Sequence, residues 1–375
     1  MTRPHPVTPA PWDFPAPEAA PPLRPSAAGM GRARLEHLVK ALGEKSFRVS
    51  QLFEGIYHQR WIEWEAFTCL PQALREHLAG GFDLRWPEIV ESKSSSDAST
   101  KHAFRLDDGA CVEGVHMPYE DRATLCLSSQ VGCAMGCTFC ATGQMGIVRN
   151  LSAAEIVGQV MAMLLHHVHP QGRPVNLVFM GMGEPLHNLD HVMEAFGILT
   201  DPKGLAIPPR RITVSTSGLV SGIRRLAAFK PRPRLALSLN GTTDERRSRI
   251  MPVNRVWGLD ALAQCLQDFP VEHHERITLE YVLLKGETDS LEDAKRLATF
   301  AGKFPSKINL IPFNPHEGSG FEAPTESQVE ALCALLSDRG LPVSVRRSRG
   351  QDVAGACGQL VRARQNPPSR NPRAI

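Results

Sequence analysis

The chain has 375 residues, 42 Lys and Arg against 39 Asp and Glu, a net charge of +3, and nine cysteines. That length suffices for one large domain with a smaller one attached, and no run of about 18 apolar residues argues for a membrane span. Nine cysteines are too few, and odd in number, for a disulfide scaffold, which points to metal binding or catalysis in a reducing cytoplasm.

Residues 1–30 begin MTRPHPVTPAPWDFPAPEAAPPLRP. This stretch is too rich in Pro and Ala to pack and lacks the apolar core of a targeting peptide, so a disordered extension is expected. Over 31–82, HLVKALGEKSFRVSQLFEGIYHQRW and LPQALREHLAGGF carry apolar residues at helical spacing and predict a small helical module. Over 83–120, KHAFRLDDG and ACVEGVHMP meet at an Asp-Asp-Gly turn signal and predict a β-hairpin linker.

Beyond Cys140 the pattern changes. Ser152 and Glu155 in SAAEIVGQVMAMLLHHV form a capping-box signature ahead of an apolar helix. Six strand-like segments follow: NLVFMGMGE, RITVSTSG, RLALSLNG, RITLEYVLL, KINLIPFNP and LPVSVRRS. Amphipathic segments such as HVMEAFGILT, GLDALAQCLQDF and LEDAKRLATFAGKF alternate with them. The fold class predicted is α/β, a parallel sheet or partial barrel, with its chemistry at the C-terminal ends of the strands. Polar and glycine residues fall at those ends: Gly183 and Glu184 on the first strand, Ser215 and Ser217 on the second, Ser238 and Asn240 on the third, Asn314 on the fifth. Together they outline a rim for a polar ligand. From 346 to the end, seven arginines face one acid, Asp352, a composition that suits RNA or merely a solvated terminus.

The segment CLSSQVGCAMGCTFC, Cys126 to Cys140, holds four cysteines. Cys133, Cys137 and Cys140 have C-x3-C-x2-C spacing. A structural zinc site would want a fourth ligand nearby. A cubane iron–sulfur cluster needs only three thiolates if one iron is left open for a substrate, and Gly132 and Gly136 allow the tight turn that this requires.

With Phe139 before the last of these cysteines and the GMGEP segment from Gly181 to Pro185, the chain resembles the radical-SAM superfamily. The stretches CLSSQVGCAMGCTFCATGQMG, RNLSAAEIVGQV, GMGEPLHN, STSG, LALSLNGTTDERRSRIMPVNR, NLIPFNP and RRSRGQDVAGACGQL resemble, more narrowly, the RNA methyltransferases that methylate C2 of adenosine in 23S rRNA and tRNA. The resemblance runs from about Arg32 to Leu360. It implies a partial (β/α)6 TIM-like barrel over 121–350, an RNA-binding role for the helical module, a catalytic-cysteine segment over 351–364 and a flexible basic tail over 365–375.

The same resemblance implies a chemistry. C2 of adenine is an electrophilic carbon without a lone pair, so direct displacement on a methyl sulfonium fails there. The family parks a methyl group on a cysteine, matched here by Cys357. A second S-adenosylmethionine, cleaved at the 4Fe-4S cluster, yields the radical that activates it. Cys126 matches the resolving cysteine, which releases product through a transient disulfide with Cys357. Glu113 matches a proton acceptor, and whether Glu113 or Cys126 takes the C2 proton stays open. Cys133, Cys137 and Cys140 match the cluster ligands. Gly183, Glu184, Ser215, Ser238, Leu239, Asn240 and Asn314 match contacts to S-adenosylmethionine. Asn240 departs from the histidine common in the family, which keeps a hydrogen bond but removes a titrating group. A flavodoxin- or ferredoxin-like electron donor and a monomeric state complete the expectation. Taken without the resemblance, Cys357 is a small buried residue, Glu113 a solvated acid and GMGEP a glycine-rich turn; Cys111 matches no family role. Two other readings remain: the related branch that methylates C8, disfavoured by Val131 and by Gln144-Met145, and a non-catalytic RNA-binding iron–sulfur protein.

Overall fold

A computed structural model describes residues 24–316 and 318–360. Most of the Pro-rich extension and the basic tail over 365–375 lie outside the described residues. Residues 24–30 correct the expectation of a disordered extension up to residue 30. Ala27 is fully buried and Met30 nearly so, and Ala27 N donates to the Asp83 carbonyl at 2.8 Å. Small apolar residues at the end of the Pro-rich stretch thus seal the helical module.

That module comprises helices Arg32–Ala41, Arg48–Phe53 and Gln72–Gly81. Leu35, Phe53, Phe67 and Leu78 form its apolar interior, and the buried Tyr57 hydroxyl donates to the Met30 carbonyl at 2.8 Å. Arg32 pairs with Asp201 through two hydrogen bonds, of 2.5 and 3.0 Å, which fastens the module to the following domain.

Twelve strands follow among the described residues: β1 (Glu88–Ser94), β2 (Thr100–Arg105), β3 (Cys111–Pro118), β4 (Ala123–Cys126), β5 (Gln130–Cys133), β6 (Gly146–Asn150), β7 (Val175–Phe179), β8 (Ile212–Thr216), β9 (Arg234–Ser238), β10 (Ile277–Leu283), β11 (Ser306–Pro312) and β12 (Val343–Val345). Ten of them form one sheet in the order β1-β2-β3-β4-β7-β8-β9-β10-β11-β12, and β5 pairs with β6. Pairing is antiparallel from β1 to β4 and parallel from β4 through β12. The six segments expected after Cys140 are β7 to β12, and β4 adds a seventh parallel strand ahead of them. The architecture is the α/β partial barrel. Its strands read as nearly continuous apolar runs because helices cover them.

The helix Ala153–His166 crosses from β6 towards β7. Its capping box is formed: Ser152 Oγ accepts from Glu155 N at 3.2 Å, and Glu155 Oε2 accepts from Ser152 N at 2.8 Å. The 83–120 stretch supplies three strands that continue the barrel sheet. β1, with sequence EIVESKS, is an edge strand exposed along much of its length, so it has no apolar alternation to read. In β2 and β3, side chains alternate between two faces. Lys101, Glu113, Val115 and Met117 share one face with Cys126, which lies opposite Val115. His102 and His116 share the other.

Candidate active site

The C-terminal ends of the parallel strands surround a cavity of about 1040 Å³, open to solvent on one side. Its wall includes Cys133, Cys137 and Cys140. Cys133 ends β5, and the other two lie on the loop that follows. Gly132 has φ +77°, and a Cβ there would lie 2.0 Å from the Gly146 carbonyl oxygen of β6, so only glycine lets the two strands approach this closely. Burial pushes the Cys133 thiol up to about 12 and raises those of Cys137 and Cys140 as well. Three buried sulfurs become thiolates only if a cation compensates them.

Arg247 stands nearby, fully buried, with its own pKa lowered to about 10 by burial. Its guanidinium donates to the Leu239 carbonyl (2.9 Å), Asn254 Oδ1 (2.8 Å) and the Ser217 carbonyl (2.5 Å), which joins the ends of β8 and β9. Its charge favours the Cys137 thiolate.

Gly183 and Glu184 follow β7. Gly183 has φ +103°, and a Cβ would lie 2.6 Å from Gln130 Cβ. Glu184 is buried, and burial raises its carboxyl pKa against the pull of hydrogen bonds from Ser217, Thr216 and Leu186. Oε2 accepts from Ser217 N and Ser217 Oγ, both at 2.8 Å, and Oε1 from Leu186 N at 3.1 Å. Ser215 and Ser238 also line the cavity, their hydroxyls 3.4 Å apart. Asn314, on the same wall, donates from Nδ2 to Ser348 Oγ at 2.8 Å.

Asn240 lines the cavity as well, but its side chain is spent on the protein: Oδ1 accepts from Val282 N at 2.9 Å. It has φ +52°, a left-handed conformation that asparagine tolerates better than most residues. Leu239 does not line the cavity. Its N–H donates to the Glu280 carbonyl at 3.0 Å and its carbonyl accepts from Arg247.

Cys357 lies on the same wall and also on that of a second, smaller pocket of about 340 Å³, where it meets Cys126. Cys126 is buried, and burial together with the nearby Cys357 sulfur raises its pKa well above the ordinary thiol range, while Arg346 pulls it down. The segment around Cys357 is fastened on two sides. Asp352 accepts from Ser95 Oγ at 2.5 Å and Ser96 N at 2.9 Å in the β1–β2 turn. On the cluster-loop side, Ala141 N donates to the Gly358 carbonyl at 2.8 Å, and Thr142 Oγ1 to the Leu360 carbonyl at 2.5 Å.

Glu113 lines neither pocket. It is buried on the Cys126 face of β3, and Lys101 Nζ lies 3.3 Å from its Oε1 and 3.3 Å from the Ala354 carbonyl. Cys111, the first residue of the same strand and two residues before Glu113, lines neither pocket; its Sγ lies 4.0 Å from the Gly109 carbonyl.

Sequence reasoning missed Arg346 and Glu280. Arg346 borders both pockets, donates to Met180 Sδ at 3.1 Å and lies 3.5 Å from Glu280 Oε1. Glu280 Oε1 also accepts from Asn309 Nδ2 at 3.0 Å, while its buried Oε2 has no hydrogen-bond partner among the described residues. An acid inside the apolar strand RITLEYVLL was the available signal for Glu280. Nothing in the local sequence separated Arg346 from the other arginines around it.

Profiles of two known families match the chain: the radical SAM superfamily over residues 127–298, and the ribosomal RNA large subunit methyltransferase N-terminal domain over residues 27–82. The dual-specificity RNA methyltransferase RlmN of Geotalea uraniireducens (strain Rf4) is 46% identical over 326 residues, which cover 87% of this chain and 93% of that relative. The enzyme of the same description from Anaeromyxobacter sp. (strain Fw109-5) is 46% identical over 357 residues, 94% of this chain and 93% of the relative. The chain belongs to the RlmN family of dual-specificity RNA methyltransferases. A crystal structure of a radical SAM methyltransferase from Sphaerobacter thermophilus superposes with a TM-score of 0.84 at 40% identity, covering 90% of this chain and 99% of that one.

Membership of the RlmN family and of the radical SAM superfamily brings a 4Fe-4S cluster and S-adenosylmethionine, and the residues fit both. Cys133, Cys137 and Cys140 meet on one wall of the cavity, a three-thiolate set that suits a cubane cluster with one iron left open, whereas a structural zinc site wants four ligands. The cavity beside them carries the polar rim of Glu184, Ser215, Ser238 and Asn314, and among the described residues the Glu280 carboxylate Oε2 on its wall lacks a donor.

Proposed function

We propose that the chain transfers a methyl group from S-adenosylmethionine to C2 of adenosine in 23S rRNA and in tRNA. The observation that carries this reading is the position of Cys357 on two pockets at once, one shared with the three cluster cysteines and the other with Cys126.

When bound, the cluster and S-adenosylmethionine supply methyl transfer to sulfur and a reductive cleavage that yields a hydrogen-abstracting radical. Cys133, Cys137 and Cys140 would hold the cluster, and Gly183, Glu184, Ser215, Ser238, Asn240 and Asn314 border the space for the cofactor. Glu184 acts by positioning, since its carboxylate is occupied by Ser217 and Leu186 and fixes the turn after β7.

Cys357 carries the methyl group, loses one hydrogen atom from it and adds the resulting methylene radical to C2; as the C2 proton leaves, the one unpaired electron on the ring would be returned to the cluster when that is bound, which restores the aromatic ring. Enzyme and RNA are then joined through its sulfur. Cys126, across the smaller pocket, attacks that sulfur. The Cys357 sulfur–carbon bond breaks as the disulfide forms, and the electron pair stays on the former methylene carbon, which takes a proton to become the methyl group. Arg346 supports the negative charge on both thiolates. Glu113 stands behind the pair, tied through Lys101 to the Ala354 carbonyl, and serves as acceptor for the C2 proton.

The helical module, which matches a domain of ribosomal RNA methyltransferases, is the assigned RNA-binding element. Among the described residues no helix is long and apolar enough to cross a membrane. Action as a monomer in the cytoplasm, with electrons from a flavodoxin- or ferredoxin-like donor, belongs to the same proposal. The test is mass spectrometry of nucleosides from 23S rRNA and tRNA treated separately with the reconstituted enzyme. 2-Methyladenosine in both RNAs is expected; 8-methyladenosine in its place, or no methylated adenosine, overturns the reading.

A further inference from the structure

On the face of the sheet opposite Cys126 and Glu113, histidines gather from separate parts of the chain. His102 comes from β2, and His166 and His167 from the C-terminal end of the helix Ala153–His166. One ring nitrogen of each lies within 4.8 Å of the others. His102 Nε2 and His167 Nε2 face each other at 2.8 Å. His116 of β3 stacks on His167 with ring centroids 3.7 Å apart, and its buried Nδ1 has no hydrogen-bond partner among the described residues. None of these residues has a part in the methyl-transfer chemistry above.

We propose that His102, His166 and His167 form a binding site for a divalent first-row transition ion of the zinc class, which clips the end of this helix to the back of the sheet that carries Cys126.

The donor set is right for such an ion, because neutral imidazoles bind zinc, copper and nickel, whereas magnesium and calcium want oxygen. Burial, with repulsion from neighbouring histidines, lowers the pKa of His102 to about 3 and that of His167 to about 4, so these two rings stay neutral at physiological pH. Ser92 Oγ lies 2.8 Å from His102 Nδ1. That contact can take the Nδ1 proton and leave Nε2 as the donor to metal, as outer partners of metal-bound histidines do. Tetrahedral bonds of about 2.0–2.1 Å put nitrogens roughly 3.3 Å apart. The His102–His167 pair would open slightly from 2.8 Å, and the exposed His166 would close in.

The surroundings permit the charge. The helix C-terminus favours a cation. The nearest arginines are turned to backbone oxygens: Arg173 Nη2 donates to the Tyr119 and Glu120 carbonyls at 2.7 and 2.8 Å, and Arg60 Nη1 to the His169 carbonyl at 2.8 Å. His169 is committed to the Arg173 carbonyl at 3.1 Å. Three protein ligands and one exposed side leave the fourth position to water.

The test is equilibrium dialysis of the anaerobic, cluster-loaded enzyme against micromolar Zn²⁺, so that the cluster cysteines are already occupied. The comparison is with His166→Ala and with the double variant His166→Ala, His167→Gln. Wild type is expected to retain one more zinc per chain than either variant, and zinc-edge X-ray absorption of that ion should give nitrogen and oxygen neighbours only. Equal zinc content in wild type and His166→Ala, or sulfur scattering from the additional ion, overturns the proposal. Because His166 is exposed, His166→Ala keeps its fold and decides the matter even if the double variant does not.

Discussion

Replacing Arg346 with methionine tests the electrostatics of the two-cysteine step. The guanidinium borders both pockets, and its charge is favoured chiefly by the neighbouring Cys357 sulfur, with Glu280 and Cys126 adding to the effect. Cys126 must become a thiolate to attack, and its burial already opposes that. Removing an opposite charge at this range raises a thiol pKa by about 1–3 units. The thiolate population falls by the same factor, but a more basic thiolate is a better nucleophile, with a Brønsted slope of about 0.4–0.5. The net loss in the resolving rate is therefore roughly 3- to 60-fold. The assay follows a single turnover with enzyme already methylated on Cys357, counting the covalent enzyme–RNA adduct on a denaturing gel. Arg346→Met should let the adduct accumulate and resolve faster as pH rises, and Arg346→Lys should restore much of the rate. Adduct decay in Arg346→Met as fast as wild type from pH 6 to 9 would refute the reasoning.

Cys126→Ala should keep its cluster absorbance and still cleave S-adenosylmethionine, yet remain joined to RNA; loss of the cluster would mean that Cys126 is a ligand. Glu113→Gln should also accumulate the adduct, visible on the same gel, whereas normal resolution would hand the C2 proton to Cys126. Glu184→Gln turns an acceptor towards two donors of Ser217 into an amide, and should cost about 1–3 kcal/mol of stability by thermal unfolding with weaker S-adenosylmethionine binding by calorimetry.

The strands β7 to β11 were legible as short, largely buried apolar runs, four of them ending in a polar rim, β12 from its Val-Ser-Val alternation although none of its residues is buried, and the helix Ala153–His166 because Ser152 and Glu155 announce its start. β1 was not, since an exposed edge strand such as EIVESKS has no face to bury. The pair β5 and β6 escaped for a related reason: β6 is largely exposed and its register depends on glycine at 132 and 146. In the site, cysteine spacing pointed to the cluster, whereas Arg346, Glu280 and Met180 meet only through the sheet order that brings β7, β10 and the chain after β12 together. Asn240 carries a different lesson. Its position at a strand end was legible, but its amide is used to hold Val282 rather than left wholly to a ligand. The histidine cluster was half visible in HHVH, and its other members, His102 and His116, arrive from strands far away in sequence.

The central claim, that the methyl group passes through Cys357 as a methylene unit, is tested most directly by its hydrogens. Enzyme carrying a trideuteriomethyl group on Cys357 is allowed one turnover with unlabelled S-adenosylmethionine and RNA in ordinary water, and the 2-methyladenosine formed is weighed. The account predicts a methyl group with two deuteriums, the third having left with 5′-deoxyadenosine. A product with three deuteriums, or with none, contradicts it.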